Sequence, residues 1–176
     1  MVRQDSHVSE GRSSMDDTQM TRRAWIARAA TTTLSGAMLL ALRPSVSAAA
    51  PKPIAITVYK DPSCGCCTKW VSHLQANGFA PEVHDRPDVE ALKAGLGVPT
   101  ALRSCHTAVV GKYVIEGHVP AADVKRLLAE KPAGTAGLAV PGMVTGSPGM
   151  EMGDRHDRYD VIAFSAAGST RVFAQH

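Results

Sequence analysis

The amino-acid sequence predicts an α/β fold, and three observations lead there. Ile54-Ala55-Ile56-Thr57-Val58-Tyr59 is a β-branched and aromatic run that stops at the turn residues Asp61-Pro62-Ser63. Trp70, Val71 and Leu74 follow at helical spacing and end at Asn77-Gly78, a pair suited to a helix C-cap. The same alternation of extended and helical patterns then continues along the chain, with two adjoining strands before the last helix.

After the opening β-loop-α unit, Pro81-Glu82-Val83-His84 predicts a short second strand. Pro87 suits the first position of a helix carrying Val89 and Leu92. Gly97-Val98-Pro99-Thr100 precedes Ala101-Leu102, where an extended stretch is expected to begin, and Tyr113-Val114-Ile115 is its hairpin partner across a Gly111-Lys112 turn. Pro120 starts a helix with Val124, Leu127 and Leu128 inward, closing at Lys131-Pro132. The resulting order β-α-β-α-β-β-α is that of a thioredoxin-like sheet. Residues 133–153 shift to Gly, Pro, Ala and Met and predict a loop long for a compact domain. Strands at 159–164 and 170–173 around Ala167-Gly168 add a C-terminal β-hairpin.

Of 176 residues, 44% are hydrophobic and 20% charged, which excludes wholesale disorder and a collagen-like repeat. Residues 1–50 hold six of the 19 Lys/Arg and four of the 16 Asp/Glu, so the remainder carries 13 against 12, a net of +1. No basic patch argues for nucleic acid.

Residues 29–42 form an apolar run of 14, shorter than the roughly 20 a spanning helix needs. The run follows Arg22, Arg23 and Arg28 and leads to Ser47-Ala48-Ala49-Ala50, small residues that suit signal peptidase. Thr21-Arg22-Arg23-Ala24-Trp25-Ile26 resembles a twin-arginine export signal, although Ala27 stands where that signal often has Lys, and the general secretory route is the alternative. Residues 1–19 are polar and acidic, unlike a signal n-region, and Met20 is a candidate start. The expected organisation is a presequence over 1–50 and a single domain over 51–176, exported to a periplasm, with no membrane span in the mature chain.

Cys64-Gly65-Cys66-Cys67 sits between the first strand and its helix. Cys64 and Cys67 therefore have C-x-x-C spacing at a helix N-terminus, where unpaired N–H groups and the helix dipole favour thiolate. A plain C-x-x-C there is a redox motif. The inserted Cys66 shifts the reading, because three sulfurs within four residues can converge on one soft cation, and thiolates select Cu(I) or zinc over hard ions. Ser104-Cys105-His106-Thr107 supplies a fourth sulfur and an imidazole. Cys105 is either a ligand, a disulfide partner of a loop cysteine, or a switch between the two. Met143, Met150 and Met152 are candidate thioether ligands for Cu(I), against the gap-filling role usual for methionine. His118 is a further candidate ligand or an orienting neighbour. His73 and His84 are expected to be solvated or structural.

Four blocks of residues match a known family in order. They are Val58-Tyr59-Lys60-Asp61-Pro62-Ser63-Cys64-Gly65-Cys66-Cys67 with Trp70, Leu74 and Gly78-Phe79; Gly97-Val98-Pro99 with Ser104-Cys105-His106-Thr107-Ala108; Glu116-Gly117-His118-Val119-Pro120-Ala121; and Gly137-Leu138-Ala139-Val140-Pro141-Gly142-Met143 continuing to Gly146-Ser147-Pro148-Gly149-Met150-Glu151. Together they resemble the domain-of-unknown-function 411 family across about residues 54 to 174, departing at Val144, where the family commonly has Pro. The resemblance implies a small exported metal-binding protein of thioredoxin-like kind, associated with copper resistance.

Two classes of function follow. One is a periplasmic copper-binding protein that sequesters Cu(I) or passes it to another periplasmic copper protein, with Cys64, Cys66 and Cys67 as primary thiolates and Cys105-His106 completing or gating the site. Zinc is the second metal candidate, since four Cys/His ligands would satisfy it. The other class is a thiol-disulfide oxidoreductase with Cys64 as nucleophile and Cys67 as resolving thiol. No Ser-His-Asp arrangement, phosphate loop or paired-carboxylate signature is visible in the sequence.

Overall fold

The computed structural model describes residues 52–176. The signal-type segment and the candidate start at Met20 lie outside the described residues. The chain forms β1 (Ile54–Lys60), α1 (Gly65–Ala76), β2 (Phe79–Asp85), α2 (Val89–Gly95), a 3-10 turn (Thr100–Leu102), β3 (His106–Val110), β4 (Tyr113–Glu116), α3 (Ala121–Glu130), β5 (Gly137–Ala139), β6 (Asp160–Phe164) and β7 (Thr170–Gln175).

These strands make one mixed seven-stranded sheet in the order β2-β1-β3-β4-β5-β6-β7. β1 pairs parallel with β2 and antiparallel with β3, and β3 and β4 form the expected hairpin. β5 runs parallel to β4 and antiparallel to β6, and β6 and β7 form the C-terminal hairpin read from the sequence. The predicted α/β class and element order are both present, with β5 as an addition.

Alternation along β1 turns Ile56 and Val58 inward, onto Trp70 and Leu74 of α1 and Val124 and Leu127 of α3. Trp70 is fully buried and its indole N–H donates to the Val119 carbonyl at 2.9 Å, so its one polar atom is satisfied. Removing that side chain would cost about 3–5 kcal/mol. Asn77 closes α1 and Gly78 takes the left-handed backbone (φ +79°) that the exit requires.

Two expectations need correction. Pro87 is not the first helical residue: α2 starts at Val89, because the Asp88 carboxylate caps it by accepting from the Ala91 N–H at 3.2 Å. On α2 the buried residues are Val89 and Lys93, since a buried carboxylate, Glu116, receives the lysine. Residues 100–102 turn as a 3-10 helix instead of beginning a strand, and β3 opens only at His106.

The long Gly/Pro/Met stretch is also not loop throughout. Its residues 137–139 are a buried strand between β4 and β6. Gly137 makes this possible: a side chain there would come within 2.5 Å of the Phe164 ring.

Candidate metal centre

The motif loop is shaped before any sulfur is placed. The Asp61 carboxylate accepts from the Ser63 N–H at 2.8 Å and from the Ser63 hydroxyl, which holds its pKa below the usual range. The Asp61 carbonyl accepts from the Cys64 N–H at 3.0 Å, and Cys64 then takes the N-cap position of α1, its sulfur accepting from the Cys67 N–H at 3.3 Å. One helical turn brings Cys64 and Cys67 together, and they are disulfide-bonded with Cα atoms 5.4 Å apart. Cys66 is free, 3.5 Å from the Cys64 sulfur.

Cys105 stands one residue before β3. Its thiol is also free, and the Cys67 sulfur lies 3.9 Å from its carbonyl. The four cysteine sulfurs all lie within 4.8 Å of one another. A second group shares Cys105: its sulfur is 3.3 Å from His106 Nδ1 and 3.1 Å from His118 Nε2. Cys105 is thus common to a sulfur cluster and a pair of imidazoles.

Both imidazoles are buried in ways that suit ligands. His118 Nδ1 donates to the Pro148 carbonyl at 2.8 Å, which leaves the Nε2 lone pair facing Cys105. His106 is fully buried, packs on the Trp70 indole at 4.3 Å, and its Nε2 has no hydrogen-bond partner among the described residues. Burial, then the neighbouring His118, holds His106 well below the usual histidine pKa, and burial lowers His118 as well, which favours the neutral ring in both. Burial, followed by the charge of Cys66, pushes the Cys105 thiol up to about 11. The donors are soft sulfur and neutral nitrogen, a set that fits Cu(I) or a tetrahedral zinc.

Cys64, Cys66, Cys67, Cys105, His106 and His118 therefore meet at one place. Met143 and Met152 are 62% and 65% exposed, while Met150 is half-buried beside Gly149. His73 is structural, its Nε2 accepting from the Ala121 N–H at the start of α3 at 3.1 Å, and His84 pairs with Glu82 at the surface. Sequence reasoning missed the Gly146-to-Glu151 strap as a builder of the site. Gly149 lies so close to α1 that a Cβ would stand 2.7 Å from the Trp70 nitrogen and 2.8 Å from the Cys66 carbonyl oxygen. The available signal was the tight Gly-Ser-Pro-Gly turn.

The family model "Protein of unknown function, DUF411" matches residues 102–150, the stretch that carries Cys105, His106, His118 and all of the strap but Glu151. Two solved structures, of copper resistance protein copG in forms 2 and 1, are 48% and 49% identical to the chain. Each alignment covers 70% of this chain and 98% of the other, with a TM-score of 0.67. The chain belongs to the DUF411 family. The two copG structures share its fold over nearly their whole length. No curated protein matches the sequence.

Proposed function

We propose that the protein binds copper in a periplasm and sequesters Cu(I) or hands it on. Cys64, Cys66 and Cys67, once reduced, are the primary thiolates; Cys105, His106 and His118 close the site, with Met150 and the more exposed Met143 and Met152 as auxiliary thioethers. The observation that carries this reading is the convergence of four sulfurs within 4.8 Å, one of them shared with two neutral imidazoles. Exchange of disulfides needs two sulfurs and no imidazole pair of this kind. The resemblance to copper resistance proteins supports copper over zinc.

A second reading has its own support: Cys64 and Cys67 form a disulfide at a helix N-terminus, the arrangement of a thiol-disulfide oxidoreductase. Cys66→Ser separates the two. As a metal ligand, Cys66 contributes one of a few strong donors, and its loss should weaken Cu(I) binding by about 100-fold or more in anaerobic competition against chelators. As a bystander to exchange, it should leave reaction with a reduced dithiol unchanged. Unaltered Cu(I) affinity beside rapid exchange in the wild type would favour the oxidoreductase, and tighter Zn(II) than Cu(I) binding would overturn the copper assignment.

A further inference from the structure

Behind Cys105 lies a buried ion pair that the metal-binding reading has not used. Lys93 and Glu116 are 1% and 0% exposed, with Lys93 Nζ 3.0 Å from Glu116 Oε1. A buried pair of this sort is weak as a stabiliser, because desolvating both charges offsets their attraction and an apolar pair of similar volume serves the core as well. Its hydrogen bonds point to a different role. Glu116 Oε1 accepts from the Ser104 N–H at 2.6 Å, and Oε2 accepts from the Thr107 hydroxyl. One carboxylate therefore grips the residue immediately before Cys105 and the residue immediately after His106.

Lys93 completes the grip by donating to the Ser104 carbonyl, while its outer contact, Glu90 at 3.2 Å, ties it to the rim. Both backbone groups of Ser104 are thus held by buried charges. Position in the sheet explains why such tethers are needed. The pairing of β3 with β1 ends at His106 opposite Lys60, so Cys105 lies beyond the ladder and has no strand register to place it. Gly117 keeps the space tight: a Cβ there would come within 2.6 Å of the Ser104 side chain.

We infer that Glu116, locked by Lys93, is a positioning residue that sets Cys105 and His106 against the other donors. The inference rests on the copper-binding reading above. Its role is geometric: among the described residues the carboxylate's hydrogen bonds and ion pair go to Ser104, Thr107 and Lys93, and it acts through Ser104 and Thr107.

The test uses the whole reduced chain and three variants. Thr107→Val is isosteric and removes one half of the grip; Thr107→Ser keeps the hydroxyl; Lys93→Met with Glu116→Leu replaces the ion pair by an apolar one. Cu(I) affinity by anaerobic competition should fall about tenfold or more in Thr107→Val and in the double variant, as for other groups that orient ligands, and return to near wild type in Thr107→Ser. Urea unfolding of the metal-free proteins, followed in parallel, separates fold from function. A lowered urea midpoint with wild-type affinity would make the pair merely structural and overturn the inference. If the double variant does not fold, the contrast between Thr107→Val and Thr107→Ser decides, equal affinities overturning it. A wild type that binds no Cu(I) would overturn the copper reading together with this one.

Discussion

In the proposed copper site, Cys105 is the residue whose proton competes with the metal. Burial and the nearby Cys66 push its thiol up to about 11, so at neutral pH it holds its proton until a metal displaces it. The imidazoles work the other way: burial pushes both below their ordinary pKa, which favours the unprotonated ring. Apparent Cu(I) affinity should therefore rise between pH 6 and 8 by about tenfold per unit for each thiol proton released, with Cys105→Ser removing one proton from the count. Competition titrations at three pH values read this slope directly, and a flat profile would show that Cys105 is not a ligand. Residue identities of this kind were legible from sulfur spacing and from the Cys-His dipeptide. Lys93 was not: in Val-Glu-Ala-Leu-Lys-Ala-Gly it reads as a solvated helix residue, and only the burial of Glu116 opposite explains its inward turn.

At the level of elements, the site is a helix N-terminus, a strand entry and a strap that covers them. The strap carries the Pro148 carbonyl that orients His118, and it reaches that position only because Gly149 has no side chain and adopts φ +86°. Gly149→Ala should push the strap off α1, lowering stability by about 2 kcal/mol in denaturant unfolding and weakening Cu(I) binding through the freed His118. Normal stability and affinity in that variant would mean that the strap yields without consequence. Local patterning read α1 and α3 well, since Trp70 and Leu74 on one and Val124 and Leu127 on the other repeat at helical intervals. The same patterning failed at β5, where three residues beginning with glycine are too short and too small to show an alternation.

For the molecule as a whole, the proposed setting is extracytoplasmic, and it has its own test. Mass spectrometry of periplasmic material should find a chain beginning near Ala49 or Pro51, as expected of a short apolar run followed by small residues. A species retaining Trp25 would refute cleavage there, and unchanged export of an Arg22→Lys, Arg23→Lys variant would favour the general secretory route. Within the described residues no helix is long and apolar enough to cross a membrane. The amino-acid sequence by itself determined the α/β class, the order of most elements and the cysteines of the candidate site, because periodicity, turn chemistry and motif spacing are short-range properties. Tertiary structure alone decided that Cys105 meets the motif loop 38 residues away, that Pro148 orients His118 across 30 residues, and that a lysine and a glutamate pair inside the core. Those outcomes depend on which distant segments the sheet brings together, and no local pattern along the chain encodes such a contact.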